Sequence, residues 1–315
     1  MLQQTRVAAV LPYYQKFLRH FPTVQALARA RMDEVLRYWV GLGYYRRARH
    51  LKEAAKEIVR EHHGRFPADY EKVLALLGIG RYTAAAVLSI AYGRPYAVLD
   101  GNVARVVARL ACLNGDVRQT SYRKKLQTLA DELLPHSAPG DFNQAMMELG
   151  STVCLPRRPL CERCPVESLC EARRAGLETT LPGKERKPAR VAVNLAAAIV
   201  ERDGKVLLVR ESGGFFSGLW QFPSVRCENA APRRTALRGV LDRFGLRARI
   251  GRHIGQAQHT VTHHDVRTDV FLARLNGGST SSNSQIRWVP LARLGRIPVS
   301  SATKKIARLY DQHFR

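Results

Sequence analysis

Cys154, Cys161, Cys164 and Cys170 fall within seventeen residues at C-x6-C-x2-C-x5-C spacing. Thiols this crowded hold a metal more readily than they pair as disulfides in a compartment that keeps them reduced. Zinc sites usually carry two C-x2-4-C knuckles split by a longer loop, whereas here only the middle gap is two. One compact, uneven loop suits a 4Fe-4S cubane with one thiolate per iron. The spacing favours the cluster and leaves zinc open. Cys112 and Cys227 stand alone and read as ordinary, partly buried thiols.

A second constellation lies upstream. Leu76-Leu-Gly-Ile-Gly-Arg-Tyr-Thr-Ala-Ala-Ala86 sets Gly78 and Gly80 around one apolar residue, between a short helix and a longer one. Bare backbone N–H groups at the start of the second helix suit a phosphate oxygen. Alone, the pair also reads as a helix–helix turn with no ligand. Twenty residues after Gly80, Val98-Leu-Asp-Gly-Asn-Val103 puts Asp100 and Asn102 at the expected start of another helix, where Asp100 taken bare is an N-cap.

The elements that must position these residues change character along the chain. Val10, Tyr13, Tyr14 and Phe17, then Met32, Val35, Leu36 and Trp39, recur at three and four, and helix signals continue over Ala48–Val59, Tyr82–Ala91, Val103–Cys112, Tyr122–Leu134 and Phe142–Gly150. A basic, Pro-punctuated linker is expected over 173–190. Beyond it, Val191–Glu201, Lys205–Arg210, Leu219–Val225, Arg247–Ile250 and Val266–Leu275 read as strands, with one helix over Ala231–Phe244. The expectation is a multidomain chain: an all-α domain over 1–172, with the hairpin near 72–91 and the cysteine loop at 154–170, and an α+β domain over 191–315.

With 45% apolar and 24% charged residues, the 315-residue chain has the composition of a folded protein of about two domains. Val191–Val200, its longest nearly apolar stretch, is half of the ~20 residues a membrane helix needs, so no membrane association is expected. The first residues carry no secretory pattern, which points to a cytoplasmic, nucleoid-associated address. Lys and Arg total 51 against 26 Asp and Glu, a formal charge of +25, and both parts are basic: 31 against 18 over residues 1–190, 20 against 8 over 191–315. Such a field favours a polyanion, although an Arg-rich composition can also follow from a GC-rich genome.

Taken in order, these elements resemble the helix-hairpin-helix DNA glycosylases with an iron–sulfur loop, most closely the adenine DNA glycosylase (MutY) family. Met1-Leu-Gln-Gln-Thr5, Gly41-Leu-Gly-Tyr-Tyr45 and Phe142-Asn-Gln-Ala-Met-Met-Glu-Leu-Gly150 match as well. The resemblance implies a base-excision-repair enzyme that flips out adenine mispaired with 8-oxoguanine or guanine and hydrolyses its N-glycosidic bond. It assigns Asp100 to the oxocarbenium-like sugar, Asn102 to orienting the site, and Tyr82 to the reacting sugar. Branches that also cut the backbone place a Schiff-base lysine where Tyr82 stands, so a monofunctional enzyme is expected over an endonuclease III-like glycosylase and lyase. Gln4, Thr5, Leu42 and Tyr44 resemble residues that wedge the duplex and contact the lesion, and Gln144 one that reads the flipped adenine. The four cysteines would hold a 4Fe-4S cluster. The expected partner is double-stranded DNA with adenine·8-oxoguanine or adenine·guanine mismatches, bound by a monomer.

Gly213-Gly-Phe-Phe-Ser-Gly-Leu-Trp-Gln-Phe-Pro223 resembles the opening of a Nudix-like sandwich, but the following helix, Arg233-Arg-Thr-Ala-Leu-Arg-Gly-Val-Leu-Asp242, has one acid where a Nudix pyrophosphatase needs several glutamates. A metal-free, 8-oxoguanine-reading version is implied, with Gln258-His-Thr-Val-Thr-His-His264 as its reading loop. Thr262 and His263 match the family there, while Val261 replaces the more usual aromatic. His259, His263 and His264 lack the Cys or Glu that would complete a metal site and read as surface-strand histidines. The family's general-acid glutamate stands two residues before the Met of Met-Leu-Gln-Gln-Thr, which here is residue 1. The helical domain is therefore expected to lack its N-terminal segment, and a lesion-binding fragment with impaired catalysis stands as the alternative.

Overall fold

Apolar residues spaced three and four apart become helices where one face can be buried. The computed structural model describes residues 1–315 apart from 4, 6, 184–188, 211–215, 217, 228–231, 262, 279–283 and 315. Its helices run α1 Val7–His20, α2 Val24–Arg29, α3 Met32–Arg37, α4 Arg46–Glu61, α5 Tyr70–Ala75, α6 Arg81–Tyr92, α7 Gly101–Leu110, α8 Thr120–Leu133, α9 Pro139–Thr152 and α10 Glu171–Arg174. The expected helices fall on α1, α3, α4 and α6 to α9. The six-residue α2 is too short to show a period in the sequence.

After α10 come β1 Val191–Arg202, β2 Lys205–Arg210, β3 Trp220–Gln221, β4 Ser224–Arg226, α11 Arg233–Arg243, β5 Leu246–Val261, β6 His264–Gly278, β7 Ile286–Pro290 and α12 Ser301–Phe314. The sheet order is β3-β2-β1-β6-β5, with β4 on β1 and β7 on β2; β1 and β6 are parallel, the other pairs antiparallel. Ala196, Ala198 and Val200 of β1 pack with Leu237 and Leu241 of α11, and Ala197 and Ile199 with Ile306 and Ala307 of α12. A strand covered on both faces explains the continuous apolar run of β1. The family's α+β sandwich is thus present.

Three details differ from the sequence reading. β5 and β6 are far longer than expected, because polar outward positions hide the strand period: Arg247 and Arg249 are exposed between buried Leu246, Ala248 and Ile250. The expected reading loop is mostly strand, with Val261 paired to His264. The first part of the expected linker is packed: Leu181 is buried, and Arg173 pairs with Glu167 and Glu178 at 2.9 and 3.2 Å. No helix among the described residues is long and apolar enough to cross a membrane.

Packing groups the chain differently from its linear order. Met1–Lys52 forms one compact unit with Pro188–Arg315, and Glu53–Lys187 forms the other. The hairpin, Asp100 and all four clustered cysteines belong to the second unit. The segments resembling lesion contacts belong to the first.

Candidate active site

In the Glu53–Lys187 unit the site is organised by α7. Val103 to Arg109 are all buried, since α7 runs between α8 and α9. Its N-cap is Asp100, whose Oδ1 accepts from the backbone N–H of Asn102 at 2.8 Å and of Val103 at 2.7 Å. Asp100 is the N-cap that the bare sequence reading expects. One oxygen fixes the half-buried carboxylate, while Oδ2 has the Asn102 side-chain amide at 3.5 Å. Tyr82, in the first turn of α6, donates to Met147 Sδ at 3.3 Å. Burial, and then the negative charge of Asp100, raise the Tyr82 phenol above its usual range, so it is a neutral donor at physiological pH.

The hairpin ahead of α6 is formed as expected. Gly78 has φ +86°, Ile79 packs with Val73, Ala84 and Leu88, and Gly80 caps α6 without a side chain. Gln144 is exposed on α9, its amide on the Gly140 carbonyl at 3.3 Å. Its neighbour Asn143 was missed in the sequence although it sits in the same motif. Buried to 2%, it accepts from Val98 N–H at 3.1 Å and donates to Ser89 Oγ and the Tyr96 carbonyl at 2.9 Å each. Asn143 thereby staples the strand-like run that delivers Asp100. Gly150 is needed for close approach: a Cβ there would lie 2.7 Å from Asn102 Cβ.

Two buried arginines, also unforeseen, join this site to the cysteine loop. Arg105 donates to Asn102 Oδ1 at 3.0 Å, to the Gly150 carbonyl at 2.6 Å and to the Cys154 carbonyl at 2.8 Å. One turn on, Arg109 donates to Cys154 Sγ at 3.2 Å and to the carbonyls of Leu155 and Leu181 at 2.8 and 2.9 Å. Only their spacing of four on an apolar helix could have flagged them. Cys154, Cys161, Cys164 and Cys170 line one small cavity with Arg109 and Arg173. Among the described residues no three His, Cys, Asp or Glu side chains stand close enough to chelate a single ion. Burial raises the Cys161 and Cys170 thiols. Four thiols around one cavity, with a guanidinium on one sulfur, fit a cubane better than a zinc that gathers four sulfurs to within about 2.3 Å of one point.

In the other unit, Arg47 gathers the segments expected from the resemblance to contact the lesion. It donates to the Met1 carbonyl at 2.7 Å, to that of Gln3, to Thr5 Oγ1 at 2.9 Å and to the Leu42 carbonyl at 3.4 Å. Its guanidinium lies over the Trp39 and Tyr44 rings at 5.5 and 5.4 Å. Tyr44 is 50% exposed and Leu42 is buried, so Tyr44 is the side chain this loop presents. Gln4 and Thr262 lie outside the described residues. On the reading hairpin His263 is exposed, its ring 4.0 Å from that of His264. His259 is half-buried, and burial followed by Lys305 lowers its imidazole. Asp269, the buried acid behind this sheet, is neutralised by Arg233 of α11 at 2.7 Å.

Comparisons with known proteins identify the domains and the family. Residues 1–132 match the HhH-GPD superfamily of base excision DNA repair proteins, and residues 195–309 match the NUDIX domain. Together they define a protein of the base-excision DNA repair HhH-GPD superfamily that carries a Nudix-like domain. Relatives named adenine DNA glycosylase are 38% identical in Homo sapiens, covering 99% of this chain and 66% of that protein, and 36% in Rattus norvegicus, covering 100% and 71%. In Arabidopsis thaliana the figures are 32%, 100% and 59%. The chain belongs to the adenine DNA glycosylase family. Among solved structures, a thermostable thymine-DNA glycosylase is 30% identical, with 55% of this chain and 80% of that one covered at a TM-score of 0.49. The chain thus spans about two thirds of the length of the mammalian relatives.

Proposed function

We propose that this protein removes adenine mispaired with 8-oxoguanine or guanine in duplex DNA, leaving the backbone uncut. The observation that carries the reading is Asp100: a carboxylate held by two backbone N–H groups, with its second oxygen beside Asn102 and a neutral tyrosine in its field. As the C1′–N9 bond breaks, both bonding electrons leave with adenine and the sugar becomes cationic. A fixed anion beside it stabilises that charge without reorganising; water then adds its oxygen to C1′ and gives a proton to Asp100, which returns it to solvent, while the adenine anion takes a proton from solvent on a ring nitrogen and leaves neutral. Asn102, clamped by Arg105, keeps Oδ2 aimed. Tyr82 supplies no amine, so no Schiff base forms with the abasic product.

Cys154, Cys161, Cys164 and Cys170 would hold a 4Fe-4S cluster. When bound, the cluster supplies a rigid core for the loop and charge that favours thiolate over thiol. This chain's own residues do the rest: Arg109 bonds the Cys154 sulfur, and exposed Arg157, Arg158 and Arg163 are placed for backbone phosphates. The reading hairpin and Tyr44 would recognise the base opposite adenine.

The test is a duplex with adenine opposite 8-oxoguanine under single-turnover conditions. Free adenine and a strand that breaks only after alkali are expected, with much weaker binding to an adenine·thymine duplex. Strand cleavage without alkali, trapped by borohydride, would overturn the monofunctional reading. Selective binding without adenine release would overturn its catalytic half.

A further inference from the structure

Within the Met1–Lys52 and Pro188–Arg315 unit, the Gly41–Tyr45 loop is bracketed by two contacts to the Nudix-like sheet. Eight residues before Gly41, Asp33 in the first turn of α3 accepts from Arg210 of β2 at 2.6 Å and pairs with Arg287 of β7 at 3.5 Å. The two guanidinium groups lie over the Trp220 ring at 4.8 and 4.5 Å, and Trp220 is fully buried. Arg210 is also anchored on the Ser284 carbonyl at 3.1 Å. Four residues after Tyr45, the Arg49 guanidinium rests against Gly218, whose φ of +71° favours glycine.

Arg210 and Arg287 share the Asp33 carboxylate, one on each oxygen, so both contacts depend on its charge. Arg210 and Arg287 are only 27% and 34% exposed at the side chain, and Asp33 21%, so their interaction is weakly screened. Arg47 then carries the constraint from this stretch to Thr5 and Tyr44.

We infer that Asp33 is a positioning residue for lesion specificity: its fork with Arg210 and Arg287 sets the Gly41–Tyr45 loop in register with the Val261–His264 hairpin, so that both face the same base opposite adenine. The inference rests on the reading role of that hairpin.

The test measures affinity of the full chain for duplexes carrying an uncleavable 2′-fluoro adenosine opposite 8-oxoguanine or opposite guanine. Asp33→Asn should lower the 8-oxoguanine-to-guanine ratio roughly tenfold, the range of coupling between charged neighbours. Asp33→Glu should restore most of it. Adding Arg210→Gln to Asp33→Asn should lower the ratio no further. Equal losses on both duplexes with the ratio unchanged would show a merely structural residue and overturn the inference. His263→Ala separates the two readings. If it lowers the ratio while Asp33→Asn does not, the positioning role falls and the hairpin's role stands; if neither lowers it, both fall.

Discussion

Asp100 is held by backbone N–H groups two and three residues along its own chain, whereas Asp33 is held by an arginine 177 residues away. Around α7 the Asp100 carboxylate is held by its own helix start, while Arg105 and Arg109, buried in the same helix, bond loop carbonyls of the 154–181 stretch. The Met1–Lys52 and Pro188–Arg315 unit is tied by partly buried guanidinium contacts between distant segments. Bond breaking needs a charge fixed to a fraction of an ångström, which capping and burial supply. Reading a lesion needs two surfaces in register, and a few long-range charged contacts suffice for that.

The largest expected break in this comparison is Arg109→Ala. Its side chain is 2% exposed and bonds three acceptors, one a cysteine sulfur. Its loss should cost about 3–5 kcal/mol, leaving unpaired acceptors and a cavity. Denaturant unfolding checks the stability, and iron content after purification should fall in parallel. Asn143→Ala follows at about 2–3 kcal/mol, because Val98 N–H is left buried without its acceptor. Its excision rate should fall with the stability, since Asp100 lies two residues further on.

Arg47→Ala sharpens the other side. Global stability should drop by only about 1 kcal/mol, since the guanidinium is partly exposed, yet affinity for the mismatch should weaken several-fold as Thr5 and Tyr44 lose their common anchor. Gel-shift titration against adenine·8-oxoguanine and adenine·thymine duplexes reads this directly. Tyr82→Phe should have the smallest effect on folding. The Tyr82 phenol titrates higher in the folded than in the unfolded chain. Its contribution is therefore complete below the unfolded value near 10 and is lost as pH rises through the folded value. Stability at pH 7 to 9 should be flat for this group, and the variant should lose less stability than the parent above pH 10.

How much of this was legible in the sequence follows the same division. The hairpin glycines and the four cysteines could be named because each set is defined by spacing within one short segment, whereas Asp100 and Tyr82 took their roles from the resemblance to the family. Most helices followed from their period, and β1 from its unbroken apolar run. Arg105 and Arg109 were hidden because a buried arginine looks like any other in a chain with 40 of them. Arg47 and Asp33 were hidden because their partners are defined only by packing, as was the pairing of the first 52 residues with the C-terminal domain. β5 was read too short because its outward positions carry arginine, glutamine and histidine.

The claim on which the rest depends is that Asp100 meets a positively charged sugar. It can be measured without bond cleavage, by comparing affinity for duplexes bearing, opposite 8-oxoguanine, either a cationic pyrrolidine or its neutral tetrahydrofuran counterpart. Asp100 should make the parent protein bind the cation roughly 10- to 100-fold more tightly, the value of one charge-assisted contact in a half-buried site. Asp100→Asn, which keeps the cap, should bind both alike. A preference for the cation that survives this substitution would contradict the account.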